Sequence, residues 1–336
     1  MTLYRQKTFQ DLYEGVLRRI KLPTSQADAL AACKDFINSR YNEIAYRQKW
    51  RWRKERRDIK IEAKYSTGTI SVVNGSREIT GTSTAWDANK KGWWLRITGE
   101  DEAQEVVAIN AITQVAILAS EFIGTTNTEA TYTMFKFEYG LFPDCEELDL
   151  AWHDKRNKPM ELVSHREIIE AMARNPELEG QPIACSVSGF KNYQGQPLGS
   201  FLLGYDFLSS STSKNLKLLV FPHIPDEDYI LHISYMKKIT PLDADADEPL
   251  IPVEKRQILV YGALADMFSR ERRDETAAFW ERKFGDELKT MENDSEFTDD
   301  RPRLMAGGVW RNNKRRLHPE DGDLGRYFDT TYTPYD

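Results

Sequence analysis

At residue 58 the hydrophobic period of this chain changes from 3.6 to 2, and near residue 251 it changes back. Before the first switch, Phe9, Leu12, Tyr13, Val16, Leu17 and Ile20 fall on one helical face behind Thr8, whose hydroxyl can cap the first turn. Leu22-Pro23-Thr24 interrupts that helix. Ser25, with Asp28 three residues on, is a capping-box-like restart, and Leu30, Ala31, Ile37, Tyr41, Ile44 and Ala45 mark a second, longer helix. After the second switch, Pro252 suits a first helical position, where its missing N–H costs nothing. Ile258, Tyr261, Gly262, Ala265 and Phe268 then form a helical stripe. Asp274 is placed to cap a last helix carrying Ala277, Trp280, Phe284, Leu288 and Met291. Helical ends around a β middle imply an α+β fold. The expected form is a discontinuous helical bundle of the N- and C-terminal helices with a β-module inserted between them.

Within the middle, Ile59, Ile61, Ala63 and Tyr65 alternate with polar neighbours, as in a half-buried strand. Further strands are expected at 69–73, 77–80, 92–97, 104–110, 114–119 and 131–137, separated by loops such as Thr98-Gly99-Glu100 and Gly124–Asn127. Short strands with close turn signals imply a small antiparallel barrel or sandwich. Asn74-Gly75, between two β-rich runs, is the strongest hairpin signal and predicts a type I′ turn. Residues 138–215 are mixed. Leu141–Asp144 and Gly180–Pro182 read as turns, and Ser164–Glu167 can start a short helix through Met172. Leu216–Phe221 reads as a strand ended by Pro222, with Tyr229–Tyr235 as its antiparallel partner. The expected layout is 1–57 helical, 58–137 the β-module, 138–250 β-rich, 251–292 helical and 293–336 an extended tail.

Charge narrows the partners. Among 336 residues, 46 Lys and Arg against 53 Asp and Glu give a net charge of −7, which disfavours coating DNA or a membrane surface by bulk charge. Cys33, Cys145 and Cys185 show no paired spacing, so buried, reduced thiols are expected rather than a disulfide frame or a zinc site. The N-terminus has no apolar h-region, and no run of about 18 apolar residues occurs. The expectation is a product made and assembled in the cytoplasm without a membrane partner. The tail is polar, with isolated aromatics, and buries too little apolar surface to fold alone.

Two basic clusters stand out. The run Arg47, Lys49, Trp50, Arg51, Trp52, Arg53, Lys54, Arg56 and Arg57 interleaves cations with tryptophans, as a nucleic-acid groove does. Its structural alternative has the tryptophans anchoring a helix-to-strand junction while the cations pair with acidic residues of a neighbour. In the tail, Trp310, Arg311, Lys314, Arg315 and Arg316 form either a solvated run or a segment that docks into an acidic groove of a partner. Asp243, Asp245 and Asp247 mimic the start of a calcium loop. Glu248 stands where that loop needs Gly, however, so a solvated acidic loop is expected and no metal. The five histidines have no metal-ligand spacing, and no nucleophile elbow, phosphate loop or dinucleotide motif is present. Neither an enzyme nor a cofactor is expected.

The segment Gly68–Trp86, with Gly81, Thr84 and Trp86 spaced as G-x-x-T-x-W and Ser83 replacing a second Gly, resembles a β-module recurring in bacteriophage virion proteins. The order of elements over roughly 8–292 resembles a phage head-to-tail adaptor (connector) protein of short-tailed or related phages. Besides the helices and this module, Tyr139–Asp144, the Phe221-Pro222 to Tyr235 stretch and Leu250-Ile251-Pro252 leading into Leu259–Leu264 carry that resemblance. It implies a virion neck protein that forms a ring of about twelve copies closed by heterologous contacts. Such a ring sits between the portal protein and a tail or nozzle protein, and genomic DNA passes through its lumen without sequence-specific binding. It further implies ring-wall helices, a β-module projecting outward or toward the tail, and a C-terminal tail that lies on the portal through the Arg cluster with Tyr327 and Phe328. Arg47–Arg57 would then meet an acidic face of the next copy. Three other readings remain: a tail-tube or receptor-facing component, a cell-wall glycosidase with carboxylates about 5–10 Å apart, and a DNA-binding protein.

Overall fold

The computed structural model describes residues 8–100, 102–156, 158–192, 215–294 and 297–298. Those within Met1–Glu55 and Met236–Trp310 form one compact unit, and those within Arg56–Tyr235 form another. Five helices lie among the described residues: α1 (Phe9–Ile20), α2 (Ala27–Arg47), α3 (His165–Arg174), α4 (Gln257–Arg270) and α5 (Asp274–Asn293). The strands are β1 (Lys54–Ile61), β2 (Thr69–Val72), β3 (Glu78–Thr82), β4 (Trp94–Ile97), β5 (Ala103–Asn110), β6 (Val115–Leu118) and β7 (Asn127–Ala130). They continue with β8 (Tyr132–Phe135), β9 (Glu138–Gly140), β10 (Cys145–His153), β11 (Glu161–Leu162), β12 (Ala184–Asn192), β13 (Asn215–Val220) and β14 (Tyr229–Lys237). The fold is mixed α+β, and no described helix is long and apolar enough to cross a membrane.

In the first unit, α1, α2, α4 and α5 share one apolar core. Phe9, Leu12 and Leu17 meet Cys33, Ile37 and Ile44 from α2, Leu259 and Leu264 from α4, and Phe284 and Leu288 from α5. Thr8 caps α1 in a full capping box with Asp11, each side chain accepting from the other's backbone N–H. The next two orphan donors of α1, Phe9 N–H and Gln10 N–H, reach the carbonyls of Asp247 and Asp245 at 2.8 and 3.0 Å. The acidic loop is therefore a cap for a helix more than two hundred residues away, with Lys34 paired to Asp245 at 3.0 Å.

The remaining predicted caps fall elsewhere. Helix α2 begins one residue beyond the Ser25 restart. Gln26 is its N-cap, without a side-chain bond, because the turn at Pro23 sets the start through Gln26 N–H to the Pro23 carbonyl. Pro252 precedes a 3-10 turn, Val253–Lys255, rather than standing first in α4. Asp274 is the first residue of α5 and not its cap, so its carboxylate acts on the helix dipole from within the first turn.

The second unit contains a seven-strand antiparallel sheet, ordered β7-β2-β3-β6-β5-β4-β8, that curls into a nearly closed barrel. Its two edge strands are consecutive in sequence and joined by Thr131 alone, so the chain itself bridges the gap. Alternate side chains point inward to a core of Ile70, Val72, Ile79, Leu95, Val106, Leu118 and Met134. Asn127, expected to end a loop, instead opens β7, which pairs with β2 at Ile70–Ala130 and Val72–Asn127.

The predicted hairpin between 216–221 and 229–235 does not form. Strand β13 pairs with β12 and β9 in a four-strand sheet, whereas β14 lies between β1 and β10 in a three-strand sheet. Pro222 and Pro225 lack the N–H groups a ladder needs, so the connection cannot run on as a ribbon. Ile224 instead exchanges hydrogen bonds with Leu178 and Gly180. Helix α3 starts where expected, with Ser164 and Glu167 forming a capping box.

Candidate functional site

The basic run 47–57 is built largely into the fold. Trp50 is fully buried and donates from its indole to the Ile44 carbonyl at 2.6 Å, while its ring stacks on Trp52 at 6.0 Å. A buried ring has no free face to offer a nucleic-acid base. The Arg53 guanidinium, only 4 % exposed, bonds the Ala45 carbonyl at 2.7 Å and the Lys237 carbonyl at 3.1 Å, closing the C-terminal end of α2. Arg47 pairs with Glu292 on α5, and the Arg57 guanidinium lies 5.2 Å from the Phe142 ring. Lys49, Arg51 and Arg56 point outward. The backbone of the run also holds the chain after α5: Arg51 N–H donates to the Phe297 carbonyl at 2.9 Å, and Trp50 bridges Thr298. Phe297 packs on the helical core.

The segment Gly68–Trp86 forms a corner of the barrel. The hairpin at Asn74-Gly75 is not type I′, because Asn74 keeps a negative φ and Gly75 alone is positive at 79°. The Asn74 side chain instead donates to the carbonyls of Ile123 and Gly124 at 3.0 and 2.8 Å, tying the turn to the loop after β6. Gly81 has a different reason to be glycine: a Cβ there would stand 2.2 Å from Thr84 Oγ1. Buried Thr84 donates to Gln114 Oε1 at 2.8 Å, and the same oxygen accepts Trp86 N–H at 2.6 Å. The Trp86 ring is buried and its indole N–H donates to Tyr132 Oη at 2.9 Å. Ser83 takes a φ of 57° and Ala85 49°, left-handed geometry of the kind Gly adopts without strain. The module residues Gly81 and Trp86 thus shape and anchor the corner.

Sequence reasoning gave no signal for a buried ionic group beside the barrel. Lys136, between β8 and β9, is 4 % exposed, and burial lowers its ammonium pKa to about 7. Its Nζ lies 4.8 Å from the Tyr139 ring centre. Nearby, Lys191 on β12 bonds Glu105 on β5 at 2.7 Å and Glu138 on β9 at 3.0 Å. Burial works against the Lys191 charge, but the two carboxylates outweigh it and hold its pKa above the ordinary value. Lys136 is invisible in the sequence because it occupies one position in a plausible alternating strand. His223 and His153 are also buried. Burial depresses both, His223 to about 4. All three cysteines are free and buried, their thiols pushed up to about 12 by desolvation.

Among the described residues, no group of three or more His, Cys, Asp or Glu side chains is placed to hold a metal ion. Trp310, Arg311, Lys314, Arg315, Arg316, Tyr327 and Phe328 lie outside the described residues. The described residues thus hold two separate structural sites, the Trp50–Arg53 junction in the helical unit and the Gly81–Trp86 corner in the β unit. In comparisons with known proteins, neither the protein-family models nor the curated protein sequences searched match this chain.

Proposed function

We propose that this chain is a structural virion protein, a phage head-to-tail adaptor that assembles in the host cytoplasm into a neck ring of about twelve copies between portal and tail. The observation that carries this reading is the split helical unit. Helices from the two chain ends share one core, and the acidic loop of the C-terminal half caps the first helix. In this reading those helices are a discontinuous bundle that forms the ring wall. The barrel is a carried module, and the segment beyond Thr298 reaches the portal through Trp310, the Arg311–Arg316 cluster, Tyr327 and Phe328. DNA passes through the lumen, and the protein performs no chemistry. The Trp50–Arg53 junction supports the tail's role, because it fixes the root of the tail against the helical core.

Mass photometry of the purified chain, alone and mixed with its candidate portal ring, tests the reading. The expected result is a small species alone and a large ring on the portal, lost when the chain is truncated after Thr298. A chain that ignores the portal overturns it.

A further inference from the structure

Asn74-Gly75 is the one Asn-Gly step in the chain. Asn-Gly steps deamidate faster than other asparagine steps, because no side chain on the glycine screens its peptide nitrogen from the asparagine amide. At Gly75 the space is open: a Cβ there would meet nothing within 4 Å. Asn74 and Gly75 are both exposed, so water reaches them.

The hydrogen bonds of the turn oppose that reaction. Gly75 N–H, whose proton must leave, donates to the Phe122 carbonyl at 2.7 Å. The Asn74 amide nitrogen, which must depart, donates to the carbonyls of Ile123 and Gly124 at 3.0 and 2.8 Å. Asn74 N–H donates to Thr126 Oγ1 at 3.0 Å, and Phe122 N–H returns a bond to the Ser76 carbonyl at 2.9 Å. Nucleophile and leaving group are thus both fastened to one short loop, 122–126. That loop is held in turn from the end of β4, where Glu100 Oε1 accepts Thr125 N–H at 3.2 Å.

We propose that Asn74 is a deamidation site gated by the 122–126 loop, and that its conversion opens this end of the barrel irreversibly. The reaction proceeds when the loop releases by local opening. Gly75 N then bonds to Asn74 Cγ, the Cγ–Nδ2 bond breaks, and ammonia leaves with the Gly75 proton. Water opens the cyclic imide at either carbonyl, giving aspartate or isoaspartate, with no oxidant or reductant. Neither product can reseat. Aspartate places an acceptor-only carboxylate where the carbonyls of Ile123 and Gly124 need a donor. Isoaspartate lengthens the backbone of a tight turn by one carbon. The same loop carries Phe122, 6 % exposed, which lines a cavity of about 330 Å³ with Leu95, Ile97 and Leu118. All four belong to the barrel core, so release of the loop exposes that core to water.

The test follows Asn74 in the full-length chain at neutral pH by peptide mapping, with fragmentation that separates aspartate from isoaspartate. The folded chain is expected to convert more slowly than the same chain in denaturant by about tenfold or more. Thr126→Val removes one acceptor from the clamp. It is expected to speed conversion of the folded chain about threefold to tenfold and leave the denatured rate unchanged. Asn74→Asp presents the product's carboxylate from the start. Its hydrogen exchange is expected to quicken across 118–126 and stay the same in α2, α4 and α5. Equal rates in the folded and denatured chains overturn the proposal, as does a folded Thr126→Val chain that converts no faster than the unsubstituted one. Unchanged exchange in the Asn74→Asp chain overturns the one-way opening.

Discussion

The helical unit and the barrel are stabilised over opposite ranges of sequence. In the helical unit, Arg40 on α2 bonds both oxygens of Asp266 on α4, at 2.8 and 2.7 Å, and reaches Glu281 on α5 at 2.8 Å. Leu250 N–H donates to Tyr41 Oη at 2.9 Å, and Asn38 exchanges two hydrogen bonds with Leu242. These partners lie more than two hundred residues apart. The barrel, by contrast, closes within residues 65–135, and the hydrogen bonds of its Trp86 corner run between groups from Tyr65 to Tyr132. One region needs both ends of the chain, while the other carries its own core and corner. A module with that independence can be inserted into a host fold without rebuilding it.

The largest expected effect tests that independence. Arg40→Ala leaves Asp266 partly buried without its partner and costs about 3–5 kcal/mol. Hydrogen exchange is expected to quicken in α2, α4 and α5 and stay unchanged in the barrel. Equal acceleration in both would break the comparison.

Acid is expected to act on the β unit outside the barrel. His223, in the connection from β13 to β14, has its pKa depressed by burial from 6.5 to about 4, so the unfolded chain takes up the proton first. The stability it contributes is whole above pH 6.5 and is lost as pH falls toward 4, by about 3 kcal/mol. Buried His153 adds in the same direction. Denaturant titrations at pH 7 and pH 4.5 measure this, and His223→Gln should flatten the difference.

Smaller effects sharpen the account of the corner. Gly81→Ala drives a methyl against the Thr84 side chain, which Gln114 holds in place, and overpacking of this kind costs about 1–3 kcal/mol. Ser83→Gly relieves a left-handed residue and is expected to be neutral or to stabilise by up to about 1 kcal/mol. Thermal denaturation distinguishes the two signs. A destabilised Ser83→Gly protein would show that the serine side chain, rather than the backbone angle, matters there.

Much of this was legible in the sequence, for identifiable reasons. The α1 face and the Ser164–Glu167 start of α3 follow from local spacing and capping chemistry, and both appear at those residues. Most barrel strands follow from period-2 alternation. Pairing between strands is set by distant partners, so the separation of β13 from β14 carried no local mark. Strands β10 and β12 were missed because their buried positions do not alternate, as at Ala184, Cys185 and Ser186 in succession. Arg40 was missed because a single arginine on a helix looks solvated until its three acidic partners are brought to it. The basic run shows the converse. Its composition resembles a nucleic-acid groove, yet Trp50 and Arg53 are core and cap residues.

The most direct test of the adaptor reading is electron microscopy of the full-length chain on its candidate portal ring, beside a chain ending at Thr298. The account predicts a ring of density stacked on the portal, of matching symmetry, for the full chain and bare portals for the truncated one. Bare portals in both samples, or equal rings in both, would contradict it.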